Sequence, residues 1–145
     1  MRTDSRLSRM LHVLLHMARH DRPYTSEHIA RMLRTNAVVV RRTMAGLRAN
    51  GYVQSVTGQG GGWTIACDLS RTTLLDIHRA VGGRHLFTIG IDNANPSCAV
   101  ERIVNSSVAD ALNQAERLLI SRLGEVTLAE LAEQFDVICR AELKT

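Results

Sequence analysis

Apolar residues recur every three or four positions along much of the chain, which is the spacing of one face of an α-helix. This spacing predicts a first helix over 5–19. Its buried face would carry Leu7, Leu11, Leu14, Leu15 and Ala18. Thr25 can cap a second helix that continues to about Leu33. After a polar turn, a third helix is predicted over 37–49, with a core face of Val40, Met44 and Leu47.

A glycine-rich stretch follows this pair of short helices, which is itself typical of a helix-turn-helix. Residues prone to form β-strands lie on both sides of the glycine run over 58–62, and strand, turn and strand predict a β-hairpin. A phosphate-binding loop is excluded, because the Walker pattern ends in Gly-Lys-Ser/Thr and a helix, whereas Trp63 and a strand follow here. The predicted fold class is mainly α with a small β-hairpin, a winged helix-turn-helix.

The second half of the chain has a different pattern. An irregular stretch precedes a long helix predicted from about 96 to 123. Its apolar stripe comprises Val104, Val108, Ala111, Leu112, Ala115, Leu118 and Leu119. A last helix begins at Thr127, which can form a capping box with Glu130. Its buried residues would be Leu128, Leu131, Phe135 and Ile138. A lone helix with such a stripe needs a partner, unless it packs only on its own domain.

Charge changes the picture, because it is unevenly distributed over the 145 residues. Residues 1–65 hold ten arginines and three acidic residues, a net charge of +7, whereas residues 66–145 carry −3. Arginine is the side chain suited to phosphate groups and guanine edges. The first half is therefore predicted to bind nucleic acid, with a generally basic surface as the alternative.

The third helix is the candidate for contact with DNA bases. Its free face would carry Asn36, Val38, Val39, Arg41, Arg42 and Arg48. A major groove accepts one helix, and residues near the N-terminal end of that helix reach the base edges. Arg41 and Arg42 lie in that part, where either can bind a guanine or hold a phosphate. An exposed arginine-rich helix that recognises no sequence is the alternative.

The stretch LRANGYVQSVTGQGGGWTIA, which begins at Leu47, resembles the hallmark of the Rrf-two (Rrf2) family of bacterial winged helix-turn-helix regulators. The segment TLLDIHRAVGG from Thr73 resembles the next helix of that family. The resemblance implies a homodimeric transcription factor, usually a repressor, that binds a pseudo-palindromic operator in double-stranded DNA. It also implies a DNA-binding domain over 1–83 and a dimerisation and effector-sensing region over 84–145.

The resemblance further implies which residues contact DNA. They are Thr25, Ser26, Asn36, Val38, Val39, Arg41, Arg42, Arg48, Thr57, Gly58, Gln59 and Gly60. Thr25 or Ser26 would act through backbone N–H groups at the start of the second helix. Cluster-binding members of the family carry an acidic residue in place of Arg41, an arginine in place of Thr57 and a proline in place of Gln59. Their operator sequence therefore does not transfer to this chain.

The cysteines differ from those of cluster-binding relatives, which have three close together before the long helix. Here only Cys98 lies in that loop, and Cys67 and Cys139 are 31 and 41 positions away. No iron–sulfur centre or other cofactor is therefore expected. An odd number of widely spaced cysteines also argues against a disulfide framework and indicates a reducing cytoplasm.

Cys98 is a candidate redox sensor. With Asn95 as N-cap and Pro96 as the first helical residue, Cys98 would lie in the first turn, where the helix dipole favours the thiolate. Oxidation, with Cys67 as candidate partner, would then shift the dimer and weaken DNA binding. A small buried apolar side chain is the alternative and the favoured interpretation.

Three histidines, His12, His16 and His20, follow one another at helical spacing in the first helix. Two histidines four residues apart can share a zinc ion. No carboxylate or cysteine is clearly placed to complete such a site, so a solvated polar face is preferred and no metal is expected.

The sequence gives less support to the other function classes. No C-x-x-C, Walker motif or acid–base constellation supports an enzyme. A winged helix that docks on another protein is the main alternative, although the arginines of the third helix speak against it. No apolar run is long enough to span a bilayer and no secretion signal is evident, so a cytoplasmic protein without a membrane partner is expected. The effector stays open.

Overall fold

The computed structural model describes residues 4–82, 86–87 and 89–144. The elements are α1 (Arg6–Arg19), α2 (Ser26–Leu33), α3 (Ala37–Ala49), β1 (Val53–Val56), β2 (Gly62–Ile65), α4 (Leu74–Ala80), α5 (Ala99–Glu125) and α6 (Leu128–Glu142). The predicted fold class, mainly α with one β-hairpin and a long helix in the second half, is confirmed. Within these ranges, no helix has both the length and the apolar character that crossing a membrane requires.

The helix-turn-helix forms between residues that cap its two helices. The Thr25 side chain caps α2 by accepting a hydrogen bond from the backbone N–H of His28. The helix ends at Arg34, whose left-handed φ of 53° turns the chain. Asn36 then caps α3, because its side chain accepts from the backbone N–H of Val39 at 3.0 Å. The predicted bounds of both helices are confirmed.

One hydrophobic core joins α1, α2, α3, α4 and the hairpin. α3 contributes its predicted core face of Val40, Met44 and Leu47. α1 presents a different face from the predicted one, with Met10, Val13, Leu14 and Met17 buried. Leu7 and Leu11 are only partly buried against this cluster. Of the predicted face only Leu14 is fully buried, and the methionines were wrongly left out, because the flexible methionine side chain packs in a core as well as leucine does.

The hairpin is joined to the start of α2. β1 and β2 pair antiparallel with Val53 opposite Ile65. Tyr24 adds an isolated bridge to Trp63, and the backbone N–H of each donates to the carbonyl of the other, at 2.9 and 2.8 Å. A Cβ on Gly62 would lie 2.6 Å from the Tyr24 carbonyl oxygen, so this close approach requires glycine. The wing is therefore held by the backbone that leads into α2.

α6 returns from the long helix to the core. Leu128, its first residue, is buried in the same cluster as α1 and α3. The backbone N–H of Leu128 donates to the carbonyl of Thr72 at 2.9 Å, and that of Leu74 donates to the carbonyl of Val126 at 3.0 Å. These bonds attach the start of α6 to the start of α4.

Further along, α6 lies against α1. The Phe135 ring meets the His16 ring edge-on at 5.3 Å between centroids, and Arg19 lies over the same phenyl ring. Arg19 also binds the Asp136 carboxylate at 3.0 Å. Ile138 was predicted to be buried, but its exposed fraction is 57% because it lies outside this contact with α1.

α5 runs over Ala99–Glu125 instead of the predicted 96–123, and none of its residues is buried. Val108, Leu112 and Leu119 of the predicted stripe are half-buried. Four other large apolar residues of α5 have exposed fractions between 52% and 69%: Val100, Ile103, Val104 and Leu118. We call these four residues the open face of α5.

Candidate nucleic-acid interface

The exposed side of α3 is the centre of the candidate interface. Burial of Val40, Met44 and Leu47 fixes the rotation of the helix. The opposite side turns to solvent, where Val38 is 62% exposed and Arg41 and Arg42 are also exposed. Arginine forks can bind guanine or phosphate, and valine methyl groups can contact the methyl group of thymine. The structure thus brings together the predicted set of side chains on the first turns of α3.

The start of α2 lies beside this surface. Its polar side chains are engaged in hydrogen bonds within the fold. The Thr25 hydroxyl is engaged in capping, and the buried Ser26 hydroxyl accepts a hydrogen bond from the Trp63 indole N–H at 3.0 Å. The first N–H groups of a helix have no acceptor within that helix. Backbone N–H groups are therefore what this end of α2 offers to an anion, and contact of Thr25 or Ser26 with DNA stays a prediction.

The tip of the hairpin offers backbone rather than charge. Thr57, Gly58, Gln59 and Gly60 are all exposed. Gly58 and Gly60 have φ values of 92° and 75°, in the left-handed region that favours glycine. A backbone turned in this way can bring N–H groups close to a phosphate without an intervening side chain.

Arg48 connects the end of α3 to the base of the wing. Its guanidinium group lies 5.9 Å from the centroid of the Trp63 ring and donates a hydrogen bond to the Ser55 hydroxyl at 3.4 Å. Trp63 is buried and packs the hairpin onto the domain. Arg48 thus lies in the last turn of α3, against the base of the hairpin and away from the first turns of the helix.

Arg41 has a partner that the sequence did not suggest. Its Nη2 donates to Oε1 of Glu27 at 2.6 Å, across the helix-turn-helix. Both side chains are more than half exposed. Glu27 also lies in the first turn of α2, where a carboxylate is favoured by the helix dipole. Helical spacing in the sequence cannot reveal this ion pair, because Glu27 and Arg41 belong to different helices.

Cys98 lies at the N-cap of α5, not in its first turn as predicted. Asn95 and Pro96 precede the helix, and the backbone N–H of Cys98 donates to the Asn95 carbonyl at 3.0 Å in a turn. This prediction was wrong because the chain turns once more before α5 begins. Cys67, Cys98 and Cys139 are all half-buried free thiols.

His12 and His16 of α1, and His20 immediately after it, each lie against another aromatic ring. The rings of His12 and His16 are 4.9 Å apart between centroids, and His20 stacks on Tyr24 at 6.2 Å. The pKa of His16 is lowered, chiefly because burial disfavours its charged form and further because His12 and other cationic neighbours repel a proton. His16 also contacts Phe135 of α6, so it belongs to the packing between α1 and α6.

Known proteins resemble this chain in both sequence and fold. The sequence profile of the Rrf2 family, described as an iron-dependent transcriptional regulator, matches residues 3–134. The chain belongs to the Rrf2 family. YwnA of Bacillus subtilis (strain 168), named as an HTH-type transcriptional regulator, is 27% identical over 128 residues, or 88% of this chain and 95% of YwnA.

Solved structures show the same Rrf2 fold. A transcriptional regulator from Lactobacillus plantarum is similar with a TM-score of 0.74 and 20% identity, covering 97% of both chains. IscR of T. potens is similar with a TM-score of 0.62 and 20% identity, covering 92% of this chain and 88% of that one. This chain is therefore a transcriptional regulator with a DNA-binding winged-helix fold, and not an enzyme.

The family's description mentions iron, which raises the question of whether side chains of this chain could ligate an iron centre. A structural metal or cluster site needs several thiolate, imidazole or carboxylate ligands converging on one point. Among the described residues, no three histidine, cysteine, aspartate or glutamate side chains are grouped so that they could hold a metal ion. Cys67 packs against the core, Cys98 occupies the N-cap position of α5 and Cys139 lies in α6. These residues do not fit the iron centre that the description implies.

Proposed function

We propose that this Rrf2 regulator is a repressor that binds a pseudo-palindromic operator as a homodimer. The observation that carries the proposal is the exposed side of α3, where Val38, Arg41 and Arg42 project from the first turns. A recognition helix contacts base edges through this part. The wing tip and the first N–H groups of α2 would hold the phosphate backbone.

Electrostatics supports the same assignment. Residues 1–65, which include α3 and the wing, carry a net charge of +7. A protein that neutralises several phosphates loses affinity steeply as salt concentration rises. Arg42, which has no ion-pair partner among the described residues, would contribute to that salt dependence. Thr57, Gly58, Gln59 and Gly60 carry no charge and would act through backbone N–H groups and close approach.

The open face of α5 supports a homodimer. A monomer would leave Val100, Ile103, Val104 and Leu118 in water. A two-fold axis lets one apolar face cover an identical one, which is the commonest arrangement of soluble oligomers. The two α3 helices of such a dimer would enter successive major grooves about 34 Å apart.

The test selects DNA from a random duplex pool with the wild-type protein and measures affinity for the selected duplex in a salt titration. We expect paired half-sites, and we expect Arg41→Ala and Arg42→Ala each to weaken binding while leaving dimerisation unchanged. Arg140→Ala is the control, because it removes the same charge from an exposed position in α6, and it should have little effect. Failure to enrich any sequence would contradict the proposal and favour a winged helix that docks on protein.

Repression has its own readout. A promoter that carries the selected operator should be silenced when the regulator is expressed, and Arg42→Ala should relieve the silencing. Increased transcription from that promoter would instead identify an activator.

Redox control through Cys98 stays a prediction. Hydrogen peroxide would oxidise the Cys98 thiol to a sulfenic acid: the O–O bond breaks, one oxygen stays on sulfur and the other leaves as water. Cys67 would then displace hydroxide from that sulfur to form a disulfide. If Cys98→Ser keeps the same operator affinity and the same response to peroxide, Cys98 is not the sensor.

A further inference from the structure

Glu27 is the partner of Arg41 on the candidate interface, and the proposed function does not by itself explain it. A carboxylate beside a phosphate backbone is repelled, yet Glu27 lies in the first turn of α2, next to the N–H groups assigned to phosphate. Its oxygen is 2.6 Å from the Arg41 guanidinium group. We propose that Glu27 is a positioning residue that holds Arg41 for a base edge and keeps it from the phosphate backbone; this rests on the proposed function.

Exposure of the pair indicates that it serves recognition more than stability. The side chains of Arg41 and Glu27 are 54% and 60% exposed. Ion pairs this exposed contribute little to folding, because water and salt screen them. An unrestrained arginine side chain also has many rotamers, and fixing them costs entropy on binding. The Glu27 carboxylate reduces that freedom before DNA arrives.

The geometry leaves Arg41 able to bind a base. Guanidinium carries five N–H donors, and Nη2 carries two of them. One Nη2 hydrogen goes to Glu27. The second Nη2 hydrogen and those of Nη1 remain, so the end of the guanidinium group can still donate two parallel bonds to O6 and N7 of guanine. Glu27 thus occupies one side of the group without removing the fork.

Charge separates Arg41 from Arg42. The Arg41–Glu27 pair is close to neutral as a unit, so its attraction to phosphate is weak. Arg42 is exposed one residue later and has no ion-pair partner in the described part of the chain. Arg41 is therefore the base-recognising arginine and Arg42 the phosphate-binding one, a division that the sequence left open.

Glu27→Gln should change two quantities in opposite directions: the affinity for a scrambled duplex and the ratio of affinities for the selected and scrambled duplexes. Removal of the carboxylate frees Arg41 to bind phosphate, so affinity for a scrambled duplex should rise and its salt dependence should steepen. The ratio of affinities for the selected and scrambled duplexes should fall, by about threefold to tenfold, because the arginine is no longer held for one base. A residue that only supports folding would lower both affinities together.

The experiment measures both duplexes with wild type, Glu27→Gln, Arg41→Ala and the double variant. Glu125→Gln is the matched control, since Glu125 forms a similarly exposed pair with Arg122 at the end of α5. Arg41→Ala should flatten the base preference at one position of each half-site. In the Arg41→Ala background, Glu27→Gln should cause no further loss of preference.

The outcomes separate this inference from the proposed function. If wild type selects an operator and Arg42→Ala weakens binding, but Glu27→Gln keeps the full affinity ratio, the positioning role is overturned and the DNA-binding function stands. An equal loss of preference on Glu27→Gln with and without Arg41 would also overturn it. If wild type selects no DNA sequence, both fail together.

Discussion

The two halves of the molecule use apolar residues in opposite ways. In residues 4–82, apolar side chains of α1, α2, α3, α4 and the hairpin turn inward and form one core. In α5 none is buried, and residues such as Ile103 and Leu118 are more than 60% exposed. Both regions have helical periodicity, so the pattern alone does not distinguish a face that the same chain covers from a face that it leaves open.

The difference indicates what covers the apolar side chains of each half. The winged helix closes on itself, and among the described residues beyond Val81 only Leu128 of α6 is a buried member of its core. α5 is anchored through its C-terminal end, where Gly124 approaches Leu75 of α4. The apolar residues further towards its N-terminus would need a second molecule. Three predictions test this comparison.

Leu118→Asp should have the largest effect. A charge on the open face of α5 would cost little in a monomer, where Leu118 is already 66% exposed, but would disrupt a dimer that buries it. Loss of simultaneous contact with two half-sites should weaken operator binding by about 100-fold or more. Sedimentation and a DNA-binding titration measure the two effects.

Asn113→Asp is the matched control, because it adds the same charge to an exposed position on another side of α5. It should leave the oligomeric state and the affinity unchanged. A Leu118→Asp protein that remains a dimer would show that the open face is not the interface.

A pair of glycine substitutions should give effects of opposite sign in the two regions. A Cβ on Gly46 in α3 would lie 2.7 Å from the Ala80 carbonyl oxygen, so Gly46→Ala should destabilise the fold by about 1–3 kcal/mol. A Cβ on Gly124 in α5 would lie 3.6 Å from Leu75 Cδ2, an ordinary contact. Gly124→Ala should therefore stabilise by about 0.5–1 kcal/mol through helix propensity.

Urea unfolding at one fixed protein concentration compares the two variants, because the stability of an oligomer depends on concentration. Stabilisation by Gly46→Ala would mean that α3 and α4 are not as closely packed as the structure shows.

Acidification should produce the smallest effect, at the contact between α1 and α6. The pKa of His16 is lowered from the ordinary 6.5, mainly by burial, so the unfolded chain takes up a proton at a higher pH than the folded chain. The stability contributed by neutral His16 is complete above pH 6.5 and is lost as the pH falls below it towards the lowered pKa.

Thermal unfolding between about pH 7.5 and 5.5 measures this loss. His16→Gln should lose less stability over that interval than wild type, because glutamine does not titrate. Equal losses in the two proteins would show that His16 does not contribute to the pH dependence.

Much of the winged helix could be predicted because local rules govern it. Capping by Thr25 and Asn36 and the spacing of Val40, Met44 and Leu47 depend on residues close together in sequence. The exposed placement of Arg41 and Arg42 follows from that spacing. The face of α1 was predicted less well, since several helices compete to cover it and its methionines were left out.

Contacts between distant segments could not be predicted in the same way. The bond from Trp63 to Ser26 and the pair between Arg41 and Glu27 join residues that share no helix or strand. The start of α5 at Ala99 depended on an extra turn after Asn95 that the capping pattern did not reveal.

The sequence by itself determined the class of the protein: a basic helix-turn-helix, a glycine-rich wing closed by Trp63 and an apolar long helix. Periodicity, caps and charge are properties of neighbouring residues, so they can be recognised without coordinates. Only the tertiary structure decided that Ser26 supports the wing, that Glu27 holds Arg41, and that the open face of α5 is uncovered. These depend on where separate elements meet, which the packing of the core sets.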